Sequence, residues 1–290
     1  MRIVYHLGAH CTDEEQLLRC LLRNRGVLAE EGIVVPGPAR YRTLLRDTLS
    51  TLKGEAATEE TQAMVLDQIM DEAEASRLVL SWDNFLGYPA WALRGSLYPN
   101  AAERLRALTR IFPDIPAEFH LAIRNPASFI AALVERQKDR SYADVIEGTD
   151  PLLLRWSDMI TRIRHLNPEV PLTVWCDEDR PLLWPQIIDV VSGRRGSAPL
   201  AGVEDSLAPL LSAAAFARLK GHLAERPGLG TESRMRVVQA YLTRFALPER
   251  LEEELDLPGW TADYADAISR AYEADLARIG QIPGVRFLSP

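Results

Sequence analysis

The sequence predicts an α/β protein built on a parallel β-sheet with helices on both faces. Two observations carry this. Five short segments are apolar or β-branched almost throughout, as strands covered on both faces are. Between them lie stretches with apolar residues at helical spacing, and strand–helix alternation is how a chain lays parallel strands side by side.

The elements follow in order. Arg2–Leu7 reads as the first strand and ends in a glycine-containing turn. Leu17, Leu18, Leu21, Leu22 and Leu28 form the first helical stripe. Ile33–Val35 is a brief strand, and Met64, Val65, Ile69 and Met70 give a second stripe. Arg77–Ser81 and Glu118–Arg124 are the third and fourth strands. A third stripe comprises Leu152, Trp156, Ile160 and Ile163, and Leu172–Cys176 is the fifth strand. From Leu207 to Ile279 the pattern is helical, with breaks at Pro248 and Pro258–Gly259, before a short apolar finish at Val285–Leu288. Nothing is linker-like enough to divide the chain, although Gly193–Pro199 is its softest point. The expectation is one domain over 1–290, with the sheet core in 1–193 and a mainly helical remainder in 194–290.

Composition narrows the function classes. The 290 residues include 33 basic and 41 acidic ones, a formal charge of −8. Such a balance repels polyanions, and no basic patch offsets it, so nucleic-acid binding is not expected. Three scattered cysteines (Cys11, Cys20, Cys176) suit neither a disulfide framework nor a zinc site, and no metal is assigned. No apolar run approaches the ~20 residues of a membrane span. The opening MRIVYHLG reads as a strand and not as a secretory leader, which places the chain in the cytoplasm. A monomer or weak dimer is expected.

Four segments carry chemical information. The first is the turn His6-Leu7-Gly8-Ala9-His10-Cys11-Thr12-Asp13-Glu14-Glu15-Gln16-Leu17. A strand, a tight glycine turn and a helix start together offer backbone N–H groups and a helix dipole to an anion. The others are Arg124-Asn125-Pro126, Val174 to Asp179 followed by Ile187, Ile188 and Gly193, and Asn24 to Pro36.

Together these resemble the bacterial sulfotransferases over Met1 to about Gly193. There the first segment commonly reads H-x-G-A-H-K-T-G-T-T-x-L, the second is an "RNP" motif, the third a "Y-E-D … G" block and the fourth an "N-R … L … G-I-x-x-P" run. The resemblance implies the sulfotransferase version of the P-loop fold and a donor, 3′-phosphoadenosine-5′-phosphosulfate (PAPS), or its spent form PAP. Gly8, Ala9 and Thr12 would face the 5′-phosphosulfate, and Arg124 the 3′-phosphate. The serine that shares the 3′-phosphate falls at Ala132 here, with Ser128 one helical turn earlier as a substitute.

The loop departs from that pattern. Cys11 replaces the lysine, Asp13 the glycine, and Glu14 and Glu15 the two threonines. The lysine's loss removes the cation that would stabilise the departing oxygen. Thr12 and Glu15 have capping-box spacing, which would tie up the helix's own donors.

Among individual residues, Asp83 in Ser81-Trp82-Asp83-Asn84-Phe85 lies just past a strand, where an acid can act as base for an acceptor hydroxyl or cap the next helix. His10 is the candidate acid–base histidine of the loop, and His6 reads as a core residue. A metal held by His10, Cys11 and Asp13 is disfavoured because neighbouring residues point apart. Asp177-Glu178-Asp179 reads as a helix start. Cys11 stands at a helix start, with nearby carboxylates opposing its thiolate. Trp82 and Trp91 are candidates to stack on a ligand; Trp156, Trp175 and Trp184 read as core.

The expected function is that of a sulfotransferase-like protein with a degenerate donor loop, a pseudoenzyme binding a small or glycan-like molecule in the old cleft. The alternative is a working sulfotransferase in which Arg124 and Arg234 or Arg236 supply the missing charge.

Overall fold

The computed structural model describes residues 1–72, 74–196, 198–251 and 255–290. Six strands make one all-parallel sheet: β1 Arg2–His6, β2 Ile33–Val34, β3 Arg77–Ser81, β4 Ala117–Ile123, β5 Leu172–Cys176 and β6 Val285–Leu288, in spatial order β2-β3-β1-β4-β5-β6. The five strands expected from sequence are present, each within two residues of its predicted ends. The apolar finish Val285–Leu288, which was not expected to be a strand, is the sixth. It pairs Leu172 with Val285 and Trp175 with Leu288.

The helices are α1 Gln16–Arg23, α2 Arg25–Glu30, α3 Pro38–Leu52, α4 Glu59–Ile69, α5 Ala101–Thr109, α6 Pro126–Arg136, α7 Tyr142–Ile146, α8 Trp156–Leu166, α9 Arg180–Ser192, α10 Ala213–Ala224, α11 Thr231–Phe245, α12 Pro248–Leu251 and α13 Ala262–Ile279. Because successive strand side chains point to opposite faces, β1 sends Ile3 and Tyr5 one way and Val4 the other. Ile3 and Tyr5 join the larger core with Tyr41, Phe119, Phe129, Trp156 and Ile279, so α3, α4, α5, α6, α8 and α13 cover that face. Val4 joins Leu17, Leu21, Leu28, Trp175, Leu183 and Ile187 under α1, α2 and α9. In the C-terminal third, α10 and α11 bury a separate small cluster around Leu207, Leu219 and Val238. That portion therefore does three things: it packs outside α9, covers α8 through α13, and adds the edge strand β6.

The edge of the sheet where the strands begin is clamped electrostatically. Arg77 on β3 makes a two-pronged ion pair with Glu118 on β4, donating to both carboxylate oxygens at 2.9 and 3.1 Å. It also donates to the carbonyls of Val190 and Val191 near the end of α9. His120 Nε2 bonds the same carboxylate at 2.7 Å. One guanidinium thus ties two strands and a helix together at the edge away from the strand carboxyl ends. The opposite edge is free to be built from loops, which is where open α/β sheets hold ligands.

Candidate functional site

The carboxyl ends of β1 and β3 are neighbours, His6 standing opposite Ser81 in the ladder. The turns that follow them face each other across a cleft of about 430 Å³. Its walls include Gly8, Ala9, Cys11, Thr12 and Asp13 from the loop after β1, Trp82, Asp83 and Asn84 after β3, Arg42 from α3 and Arg136 from α6. Sequence reasoning placed the loop and Asp83 here. It missed Arg42 and Arg136, which stand at helix positions outside any of the four segments.

The loop itself is unlike the capping box expected of it. Thr12 Oγ1 does not receive the Glu15 N–H; it donates to the Ala9 carbonyl at 2.8 Å. The cap is Asp13: its carboxylate accepts from the N–H of Glu15 at 3.2 Å and of Leu17 at 2.9 Å. The physical reason is backbone conformation. Cys11, Glu14 and Glu15 all have positive φ, at 58°, 47° and 62°, so residues 13–15 are not yet helical and the box geometry never forms. Gly8, at φ 45°, is the one loop position where such a conformation costs little. Other loop donors are also answered within the protein. Leu7 and Ala9 donate to the His120 and Ala122 carbonyls of β4, His10 N–H to the Tyr98 hydroxyl, and Gln16 N–H to the Asp13 carbonyl.

His10 is fully buried and is not among the residues lining the cleft. Its Nδ1 lies 2.8 Å from the Tyr98 hydroxyl and its Nε2 2.9 Å from Asn84 Oδ1. Asn84 Oδ1 can only accept, so Nε2–H donates to it, and in the neutral ring Nδ1 accepts the Tyr98 hydroxyl proton. Burial pushes His10 below the ordinary histidine pKa, against the pull of the Asn84 bond and of Asp83. His6, expected in the core, is indeed buried and stacked on Trp175 with ring centroids 5.9 Å apart. It also borders the cleft, and its Nδ1 lies 2.8 Å from Ser81 Oγ.

Asp83 lines the cleft and pairs with Arg136 at 2.8 Å, both partly exposed; it opens a short 3-10 turn without capping it. Arg42 pairs with Glu15 at 2.6 Å and donates to the Ser81 carbonyl. Cys11 is half-buried beside Arg136. Burial pushes its thiol up, outweighing Arg136 and Arg124, which favour the thiolate; Asp83 adds to the rise. The sequence pointed to the loop's own neighbours Asp13, Glu14 and Glu15; the carboxylate that acts on this thiol is instead Asp83, and burial outweighs it. The lining holds four carboxylates (Asp13, Glu14, Glu15, Asp83) against two arginines.

Arg124 and Ser128 stand together, Nε donating to Ser128 Oγ at 3.0 Å, while Arg124 Nη1 donates to the Cys11 carbonyl. Glu178, from the acidic run after β5, accepts the N–H of Asn125 at 2.7 Å, at the very start of α6. The run Asp177–Asp179 forms a 3-10 turn leading into α9, as a helix start should, with Asp177 paired to Arg180 at 2.9 Å. Two helix starts at this edge therefore meet a carboxylate of the chain itself, Asp13 at α1 and Glu178 at α6.

Arg234 pairs with Glu204 at 3.1 Å, and neither it nor Arg236 is among the residues lining the cleft. Trp82 is a wall of the cleft, whereas Trp91 is exposed outside it, near Tyr88 and Arg94. Among the described residues no cluster of three or more His, Cys, Asp or Glu side chains can hold a metal, and no helix is long and apolar enough to cross a membrane. No family model, no curated protein and no solved structure matches the chain.

Proposed function

We propose that this chain is a sulfotransferase-like binding protein whose cleft receives a neutral or cationic polar small molecule, such as a glycan or an amine, and not PAPS. The observation that carries the reading is the Asp13 carboxylate seated on the N–H groups of Glu15 and Leu17. It takes donors that a phosphosulfate would need and adds a like charge. At an effective dielectric near 20, one carboxylate ~5 Å from an anionic oxygen opposes it by about 3 kcal/mol. The cations lining the cleft do not offset this, because Arg42 and Arg136 are each paired with a carboxylate. A neutral polyol meets no such penalty, and an amine gains from the acidic excess.

A second reading, a working sulfotransferase, draws support from Arg124 and Ser128 lying together, as a 3′-phosphate site would want. A thermal-shift titration with PAP separates the two. Wild type is expected to show no shift at millimolar PAP, whereas a Cys11→Lys, Asp13→Gly, Glu14→Thr, Glu15→Thr variant gains one. At 100 times Kd the gain is about 2.7 kcal/mol, or roughly 5–10 °C for a chain of this size. A shift of that order in wild type, or sulfonyl transfer from PAPS by the unmodified chain, overturns the first reading.

A further inference from the structure

Helix α1 has a second surface. One flank of it, α9 and the turn at 202–206 enclose a groove of about 230 Å³ that shares no lining residue with the cleft. Two donors there have no protein acceptor. Trp184 is 2% exposed and Ser206 7% exposed, yet neither the indole Nε1–H nor the hydroxyl has a hydrogen-bond partner among the described residues. Buried polar groups left so are uncommon and costly, and the two residues that carry them both line this groove.

The charges around them point the same way. Arg19 lines the groove, is exposed, and makes no side-chain hydrogen bond or ion pair among the described residues. Arg23 is held at the groove by Asp205 at 2.5 Å. Arg180 does not line the groove but touches two residues that do, Trp184 and Gln16. Its guanidinium lies 5.9 Å from the Trp184 ring centroid, and it donates to Gln16 Oε1 at 2.7 Å while pairing with Asp177. In the lining itself two arginines, Arg19 and Arg23, meet one carboxylate, Asp205. An indole N–H can only donate, and an unpaired guanidinium calls for negative charge. The volume is below that of sites for drug-sized ligands, so a nucleotide is too large and a small head group fits.

We infer that this groove binds a small oxyanion, a carboxylate or a phosphate group, through Trp184, Ser206 and Arg19. The inference does not depend on what the cleft binds. The test is a heteronuclear NMR titration of the intact chain with inorganic phosphate and, separately, with sodium acetate, following the tryptophan indole N–H signals. One indole signal, absent from Trp184→Phe, is expected to move saturably with at least one anion, and the arm that saturates first names the class.

Arg19→Ala is expected to weaken that binding about tenfold or more, the usual loss when a charged hydrogen bond is removed. Arg278→Ala, an exposed cation on α13 across the sheet, leaves it within twofold. If Trp184→Phe does not fold, Ser206→Ala and Arg19→Ala carry the same comparison at the surface. The inference fails if neither anion gives a saturable shift, if Arg19→Ala and Arg278→Ala behave alike, or if an anion-soaked crystal shows only a water joining Trp184 Nε1 to Ser206 Oγ.

Discussion

The Arg77–Glu118–His120 clamp makes a quantitative prediction about acid stability. Burial alone would push the Glu118 carboxyl up, but hydrogen bonds from His120 and Arg77, and the charge beside it, outweigh burial and bring it from 4.5 down to about 2. Both side chains of the Arg77–Glu118 pair are only 14% exposed, so little solvent screening applies. A folded pKa below the unfolded one means stabilisation that is complete above 4.5 and disappears as pH falls through about 2. At 1.36 kcal/mol per pH unit, the drop is worth about 3 kcal/mol, of which about 1.4 is lost by pH 3.5.

Glu118→Gln removes the titrating group and leaves Arg77 without its counter-ion. Urea denaturation followed by circular dichroism should find the variant about 3 kcal/mol less stable at pH 7, within the range for breaking a buried pair. The gap should narrow to below 2 kcal/mol at pH 3.5. The difference between the two curves is the quantity to read, because Asp177 titrates in the opposite sense. Burial raises its carboxyl to about 6 against the pull of Arg180, so its contribution is complete below 3.8 and is lost as pH rises through about 6. Wild-type and variant curves that stay parallel from pH 7 to 3.5 would show that Glu118 is not held ionised by this clamp.

Three other expectations follow from the site and its supports. Tyr98→Phe strips partners from both the His10 backbone N–H and Nδ1, and should cost about 2 kcal/mol or more by urea denaturation; a loss under 0.5 kcal/mol would contradict the buried network. His6, His10 and His120 are all pushed below the ordinary value of 6.5, with burial the largest cause, so their stabilisation is complete above 6.5 and is lost as pH falls through their folded values. Unfolding of a triple Gln variant should accordingly lack the proton uptake that wild type shows just below pH 6.5 in paired-buffer calorimetry. Cys11 is half-buried while Cys20 and Cys176 are buried, so iodoacetamide should label one thiol of the native chain, more slowly than free cysteine at pH 7; labelling at the free-thiol rate would contradict its raised pKa.

How far the sequence could be read depended on whether a feature is local. Strands such as Leu172–Cys176 are buried on both faces, so every residue bears the mark, and their limits were legible. Val285–Leu288 escaped because an edge strand is half exposed. Its four residues, one of them arginine, look like any chain end until β5 is known to lie beside them. The capping box was legible as spacing but not as structure, because spacing says nothing of φ, and three left-handed residues moved the cap from Thr12 to Asp13. His10 carried a motif's letter but not its setting: Asn84 and Tyr98, more than 70 residues away, occupy its ring. Arg42 and Arg136 gave no signal, since an arginine in a helix marks nothing until the fold supplies Glu15 and Asp83 as partners.

These pairings bear on how the loop's departures should be understood. Taken one at a time, Cys11, Asp13, Glu14 and Glu15 are losses relative to the pattern they resemble. In the fold Glu14 stays exposed, but the other three belong to a connected arrangement. Asp13 caps α1, Glu15 holds Arg42 against the end of β3, and the Cys11 carbonyl receives Arg124. A loop that had only decayed would be expected to leave its acids pointing into solvent and its helix start uncapped. Here Asp13 is 8% exposed and doubly bonded, and the backbone holds unfavourable left-handed conformations at three non-glycine positions, each costing about 1–2 kcal/mol. Strain of that size persists only where the surroundings over-determine it. The loop's Asp13 is thus held by defined partners, which is why a single Cys11→Lys substitution would place a cation beside donors that Asp13 still occupies.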